Sequence, residues 1–370
     1  MIKLRSGAPR RDVQPQRHAS TIGTVGKLGI AAWWLAFAGC GRVDFNVLGA
    51  ANTNGDGGGR DGIVDNGPAG LSCSGLATTC GPSGTSSCCG SPLVSGGSFY
   101  RSYDVGTDNT YTVMTYPATV SDFRLDTYEV TVGRFRQFVL AGMGTQQNPP
   151  VIGAGQRTLN GMTNQGGWDP TWNASLDADT TALVAAVKCD ASYQSWTDTP
   201  GANESLPMNC ITWYVAMAFC AWDGGFLPTE AEWNYAAAGG NEQRTYPWAS
   251  PPSSLAVDCS YANYDDGTSY CVSSPNGAVN RVGSESPKGD GKWGQADLAG
   301  NVYEWVLDWY TTQYPTTICN DCANLAATNG HPARGGSFNR DASYLRGAAR
   351  GSGPPAPGSG LIGARCARTP

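Results

Sequence analysis

The side chains that could do chemistry are unevenly supplied. The 370 residues hold 13 Cys but only two His, His18 and His331. A three-His metal site or a His-based triad needs more imidazoles than this. There is no GxSxG to place a nucleophilic serine on a sharp turn, and no GxxxxGK[ST] to cradle phosphates. GxGxxG occurs at Gly57–Gly62 and Gly289–Gly294, but neither copy opens a helix, so both read as turn glycines. His331 precedes Pro332 and reads as a surface-loop residue. Thiols are what remains. If Cys40 is set aside, the other 12 form an even set at positions 73, 80, 88, 89, 189, 210, 220, 259, 271, 319, 322 and 366. Zinc is the rival to disulfides, but Cys319-Asn-Asp-Cys322 is the one suitable spacing and no second CxxC follows it. An even set in an exported chain reads as disulfides.

Export is expected from the start of the chain. Residues 1–40 carry Lys3, Arg5, Arg10, Arg11, Arg17 and Lys27 against the single acid Asp12, followed by an apolar run from Leu28 to Gly39. That run is shorter than the roughly 20 residues a membrane-spanning helix requires. A basic stretch, a short apolar stretch and small residues before a cut make a secretory signal. Ala38-Gly39-Cys40 resembles a lipoprotein cleavage site, with Cys40 acylated. Gly41 in place of Asp points to the outer membrane. Removing residues 1–40 leaves 18 basic residues against 29 acidic, a net charge of −11. Nucleic acid binding needs positive charge to displace counterions, so it is excluded as a function. Any membrane contact is expected through the lipid anchor alone.

The positioning elements are short. Gly 50 and Pro 23 together make about a fifth of the chain, and charged residues only 15%. This composition excludes a coiled coil, and 12 Trp with 16 Tyr exclude general disorder. Residues 41–71 read as a Gly-rich tether. Residues 72–91 carry four Cys and read as a small disulfide knot, and 92–370 has the texture of one domain. Three helices are predicted. One follows Thr131 with Val132, Phe135 and Val139 on one face. One follows Thr212 and stops at Gly224-Gly225. One opens with the capping box Thr229-Glu-Ala-Glu232. Strands are predicted over 121–125 and 301–307.

Several blocks, taken in order, resemble the sulfatase-modifying-factor family. They are GGSFYRSYD (96–104), FRLDTYEVTVGRFRQFV (123–139), LPMNCITWYVAMAFCAWDGGFLPTEAEWNYAAAGG (206–240), TYPWA (245–249), ANYDDG (262–267), VGSESPKGDGKWGQADLAGNVYEWVLDWY (282–310), RGGSFNRDASYLRGAAR (334–350) and LIGARCART (361–369). The resemblance implies a loop-rich α+β fold related to C-type lectins, with calcium and disulfides. It implies one calcium site from Asp297, the Gly300 and Val302 carbonyls and Glu304, and a second beginning at Asn263 and the Tyr264 carbonyl. It implies a Cys220–Cys366 bridge, and it matches a second family bridge to Ala237 and Gly347, where both cysteines are missing together.

The family's copper ligands are two Cys in GGSxxCxxxxC. Here Gly335-Gly336-Ser337 runs on without a Cys as far as Cys366. Soft thiolates suit Cu(I), and Asn339, Arg340 and Asp341 cannot replace them. Copper is therefore not expected. The departure from the family's copper pattern, read with the expected signal and anchor, leads to the expectation of a non-copper member tethered in the cell envelope, whose cleft takes a peptide, protein or glycan. Trp305, Asn339, Arg340, Arg346 and Arg350 are the candidate cleft residues. The alternative is a formylglycine-generating oxidase or a related oxidoreductase acting on exported polypeptides.

Overall fold

A computed structural model of the chain describes residues 70–272, 278–315 and 318–370. The expected signal, Cys40 and all but the last two residues of the expected tether lie outside them.

In chain order the strands are β1 (Leu93–Val94), β2 (Gly97–Tyr100), β3 (Pro117–Val120), β4 (Phe123–Leu125), β5 (Arg157–Leu159) and β6 (Met162–Gln165). They continue as β7 (Tyr303–Trp305), β8 (Cys319–Asn320), β9 (His331–Arg334), β10 (Gly351–Gly353), β11 (Ile362–Ala364) and β12 (Ala367–Arg368). The α-helices are α1 (Val132–Leu140), α2 (Thr180–Ala186), α3 (Trp213–Trp222) and α4 (Glu230–Ala237). The architecture is α+β, with long connections between short elements. Among the described residues no helix is long and apolar enough to cross a membrane.

The three predicted helices form where their caps stand. The side chains of Thr131, Thr212 and Thr229 accept the backbone N–H of Arg134, Val215 and Glu232, satisfying donors that a helix start leaves free. At α4 the Glu232 carboxylate also accepts the Thr229 N–H, completing the capping box. The predicted strands are shorter than expected, reduced to β4 and β7. α2, β5 and β6 were not foreseen. α3 is apolar all round, as a largely buried helix should be. Its Trp213 and Phe219 pack with Phe135 and Phe138 of α1 and with Trp305 of β7 in the main core.

Four strands form the central sheet, in the order β10-β9-β7-β11. β7 is antiparallel to β9 and parallel to β11, so β7 is an interior strand. β4 lies between β1 and β12 in a second sheet. The turn from β11 to β12 joins the two sheets and carries Arg365 and Cys366.

The 12 described cysteines form six disulfides. Cys220–Cys366 matches the expected bridge and spans a separation of 146 residues, so it constrains much of the unfolded chain. In the 72–91 segment Cys73–Cys89 and Cys80–Cys88 split the vicinal pair. The remaining bridges are Cys189–Cys210, Cys259–Cys271 and Cys319–Cys322. A β-carbon built on Gly347 would lie 3.3 Å from that of Ala237. The two positions that match the family's other bridge are therefore neighbours here, joined by packing instead of sulfur.

His331 is not a loop residue. It opens β9 and is fully buried. Its ring stacks on Trp213 at 3.9 Å and 13°, with Trp309 at 4.0 Å. Nδ1 lies 2.7 Å from the Asp308 carbonyl. The His-Pro step looked like a turn, but two indoles supply an apolar slot for a neutral imidazole. Burial lowers its pKa to about 3, against the weaker opposing effect of backbone hydrogen bonds. The folded pKa lies below the unfolded value of about 6.5, so the unfolded chain binds more protons between these limits. Stability should therefore fall as pH drops through this window, by at most about 1.4 kcal/mol per pH unit. Denaturant midpoints at pH 7 and pH 4 check this. Wild type should lose more between them than His331→Gln, and equal losses would assign the acid sensitivity to other groups.

Candidate functional site

Two constellations surround β7: a buried acidic centre behind it and an aromatic cleft in front.

The acidic centre begins with Glu129, which the first helix block supplies just before α1. It is fully buried, and its carboxylate accepts the Val302 N–H at 3.1 Å and the Asn301 Nδ2 at 2.7 Å. Burial pushes its pKa well up, and the Asp297 and Glu304 carboxyls nearby add to this. Asp297 is also buried and accepts the Gly283 N–H at 2.6 Å. Burial, then the Glu285 carboxyl, raises Asp297 to about 8. Asp297 and Asn301 both sit at φ 56, a left-handed conformation that Asp and Asn adopt more readily than most residues.

Glu304 faces a different environment. Arg365 donates from Nε to both carboxylate oxygens at 3.0 Å and from Nη2 at 2.7 Å, and Trp233 Nε1 donates at 2.7 Å. These contacts occupy the carboxylate as the counter-ion of Arg365. Of the four expected calcium ligands, Asp297 thus has a carboxyl that burial discourages from ionising, whereas Glu304 already has its cation. At the second expected site Asn263 Oδ1 is buried without a hydrogen-bond partner, and Glu285 Oε2, whose charge acts on Asp297, is likewise unpartnered. The Tyr264 carbonyl accepts the Cys271 N–H at 3.1 Å. Hard oxygen donors in excess of local positive charge, two of them unpartnered, fit a cation such as calcium. Among the described residues no three His, Cys, Asp or Glu side chains converge tightly enough to hold a metal by themselves. Backbone carbonyls would have to complete either site.

The cleft has a volume of about 340 Å³. Trp305, Ala333 and Ile362 form its apolar floor, and Tyr303, Arg340 and Tyr344 stand at its walls. Gly353 keeps it open, since a β-carbon there would lie 3.2 Å from the Trp305 ring. The Gly335-Gly336 turn sets the wall. Gly336 has φ 77, and a β-carbon on it would meet Leu345 at 2.9 Å. The turn buries Ser337 and Phe338 and brings Arg340 out to the surface. Asn339, half-buried beside it, accepts from the Ser337 hydroxyl at 3.0 Å. The Arg340 guanidinium lies 5.4 Å from the centre of the Tyr344 ring. Burial pushes the Tyr303 phenol up to about 12, and Arg340 beside it pulls the other way.

The candidate arginines separate by partner. Arg346 binds Asp104 at 2.8 Å and Asp108 at 2.6 Å. Arg350 grips Glu230 with Nε at 2.7 Å and Nη2 at 2.8 Å, and donates to the Thr311 carbonyl. Both hold loops together and neither lines the cleft. Arg340 alone of the three makes no salt bridge among the described residues; it hydrogen-bonds the Tyr303 hydroxyl and has the Asp341 carboxylate nearby. Sequence reasoning missed Glu129, Tyr303 and Tyr344. Glu129 stood in the quoted EVT block, where a Glu flanked by Tyr and Val could have been read as buried.

A family model described as a sulfatase-modifying factor enzyme 1-like domain matches residues 77–370. The chain is 27% identical over 262 residues to the formylglycine-generating enzyme of Mus musculus, covering 67% of this chain and 66% of that protein. It is 31% identical over 211 residues to that of Streptomyces coelicolor, covering 52% and 65%. The chain thus spans just under two thirds of the length of these two relatives. It is 34% identical over 112 residues to the inactive C-alpha-formylglycine-generating enzyme 2 of Bos taurus, covering 30% and 36%. The solved structure of PvdO from Pseudomonas aeruginosa aligns over 76% of this chain and 94% of that one, at 18% identity and a TM-score of 0.49. With a family match over some four fifths of its length, the chain belongs to the sulfatase-modifying factor enzyme 1-like domain family.

Proposed function

We propose that this protein is a binding member of its family, working without copper and tethered in the cell envelope. One observation carries the reading: the exposed guanidinium of Arg340 makes no salt bridge among the described residues and stands beside Tyr303 at the wall of an aromatic cleft. A ligand with an apolar group for the Trp305 floor and a carboxylate for Arg340 fits this chemistry. An acidic peptide or protein segment meets both requirements, and an acidic glycan meets the second. The loop after Gly335-Gly336-Ser337, where the family's copper cysteines would stand, has Phe338 buried and Arg340 outward. The 12 described cysteines are all bridged, which also supports a cleft without thiolates. The naming of a bovine relative as inactive supports the view that family membership does not require the oxidase chemistry. The basic and apolar start of the chain with Cys40 supports export and a lipid anchor at the outer membrane or cell surface.

Calcium belongs to the same proposal as a structural ion. Asp297 with the Gly300 and Val302 carbonyls would hold one ion, and Asn263 Oδ1 would face the second. Glu304 would contribute only by loosening its hold on Arg365. The full chain should melt several degrees lower in EGTA than in millimolar calcium. Asp297→Asn should melt low in both. An unchanged wild-type melt would remove the ion from the proposal.

Two measurements test the cleft. Anaerobic Cu(I) titration of the full chain, with disulfides closed and a chelator competing, should give no stoichiometric site. A tight one-to-one site would favour the formylglycine-generating oxidase instead. Peptide and glycan arrays probed with the full chain should give acidic hits, and Arg340→Ala should weaken them about tenfold. Arg346→Ala should lower the melting temperature instead. Hits indifferent to Arg340 would overturn the cleft assignment.

A further inference from the structure

A second constellation lies away from the cleft. A small cavity of about 50 Å³ has Arg101, Glu230, Asp308, Tyr314 and Cys322 in its walls. Cys322 is half-buried and bridged to Cys319, which is 2% exposed. Arg101 is 5% exposed and makes no salt bridge among the described residues, although the Glu230 and Asp308 carboxylates in the same cavity attract its charge. Its Nη1 donates to Cys322 Sγ at 3.5 Å, its Nε has no partner, and its guanidinium lies over the Tyr314 ring at 4.3 Å. A buried cation whose side-chain hydrogen bond goes to sulfur would stabilise a thiolate there once the bridge opens.

The same cavity holds an acid. The Asp308 carboxylate oxygens accept the Glu230 N–H and the Asn324 N–H, both at 2.7 Å. Burial, then the Glu230 charge, pushes Asp308 up to about 7, so it can hold or release a proton near neutral pH. As a staple, by contrast, the bridge does little. Closing a separation of three residues constrains the unfolded chain far less than the 146 of Cys220–Cys366. A half-buried cystine at the cavity wall, a guanidinium on its sulfur and a titratable acid in the same cavity suit exchange chemistry better than stapling.

We propose that Cys319 and Cys322 form a redox-active dithiol–disulfide centre that exchanges with cysteines of other polypeptides through Cys322. This stands apart from the cleft reading. In the oxidising direction a substrate thiolate attacks Cys322 Sγ. The Cys319–Cys322 bond breaks, and the Cys319 sulfur leaves as a thiolate and takes up a proton. A second substrate thiolate attacks the substrate sulfur of the mixed disulfide and releases Cys322 as a thiolate beside Arg101. The substrate dithiol has then lost two electrons to the pair and become a disulfide. A disulfide-bearing polypeptide or small-molecule disulfide reoxidises the pair by the reverse steps.

The test uses the full chain in glutathione buffers of graded ratio, acid-quenched, alkylated and mapped by mass. Cys319 and Cys322 should become alkylatable at a ratio that leaves the other five described bridges closed, and Cys319→Ser should form a glutathione adduct at Cys322. Opening only together with Cys220–Cys366, or no adduct, would overturn the proposal. In the Cys319→Ser background, Arg101→Gln should slow alkylation of Cys322 at pH 7 about three- to tenfold, and Arg101→Lys should restore most of the rate. Equal rates in all three would remove Arg101 from the centre. Circular dichroism establishes that each variant is folded before its rate is read.

Discussion

The buried guanidinium of Arg365 holds the two sheets to one another. It sits in the turn between β11 and β12, fully buried, and makes bonds in three directions. Glu304 of β7 neutralises it, the carbonyls of Asp126 and Thr127 accept from Nη1, and the Ala296 carbonyl accepts from Nη2. Trp233 of α4 closes the far side of the carboxylate. Next in the chain, Cys366 is bonded to Cys220 of α3. A short polar turn thus ties the interior strand of one sheet to the other sheet and to two helices. Leaving either charge buried alone would cost several kcal/mol, so the pair is retained as a unit. The acidic centre and the cleft both take their places from β7.

Ionic partnership sorts the arginines into two roles. Arg134 and Arg368 share Asp126 and Asp223 in a second buried network, which also accepts the Ser72 N–H and so anchors the 72–91 segment. Arg346 and Arg350 pin loops to Asp104 and Glu230. In a domain with few and short regular elements, these forked donors replace the backbone ladders that a larger sheet would supply. Two guanidiniums outside these salt bridges are the informative ones. Arg340 faces the cleft, and Arg101 faces a sulfur.

The acidic centre has the opposite imbalance. Glu129, Asp297 and Glu304 crowd around one cation, Arg365, which Glu304 takes for itself, and Glu285 adds its charge beside Asp297. Carboxyls buried this way must keep protons or recruit positive charge. Glycine turns at Gly300 and Gly335 let the surrounding chain approach closely enough to enclose them.

Much of this was legible in the residues. Thr131, Thr212 and Thr229 placed three helices because a cap is a local interaction between near neighbours. The even cysteine count announced disulfides, and the run of quoted blocks announced the α+β family fold. Pairings and partners were not legible, because they join residues far apart in the chain. His331 read as a loop residue until Trp213 and Trp309 enclosed it. Arg340, Arg346 and Arg350 looked equivalent until the fold brought carboxylates to two of them. Cys319 and Cys322 read only as a lone CxxC within an even set of cysteines until the fold bridged them and set Arg101 against the sulfur. Residue order alone dictates which residues begin helices, carry charge and can bridge. Which charges are satisfied depends on the packed fold, because burial and partner identity arise only when distant segments come together.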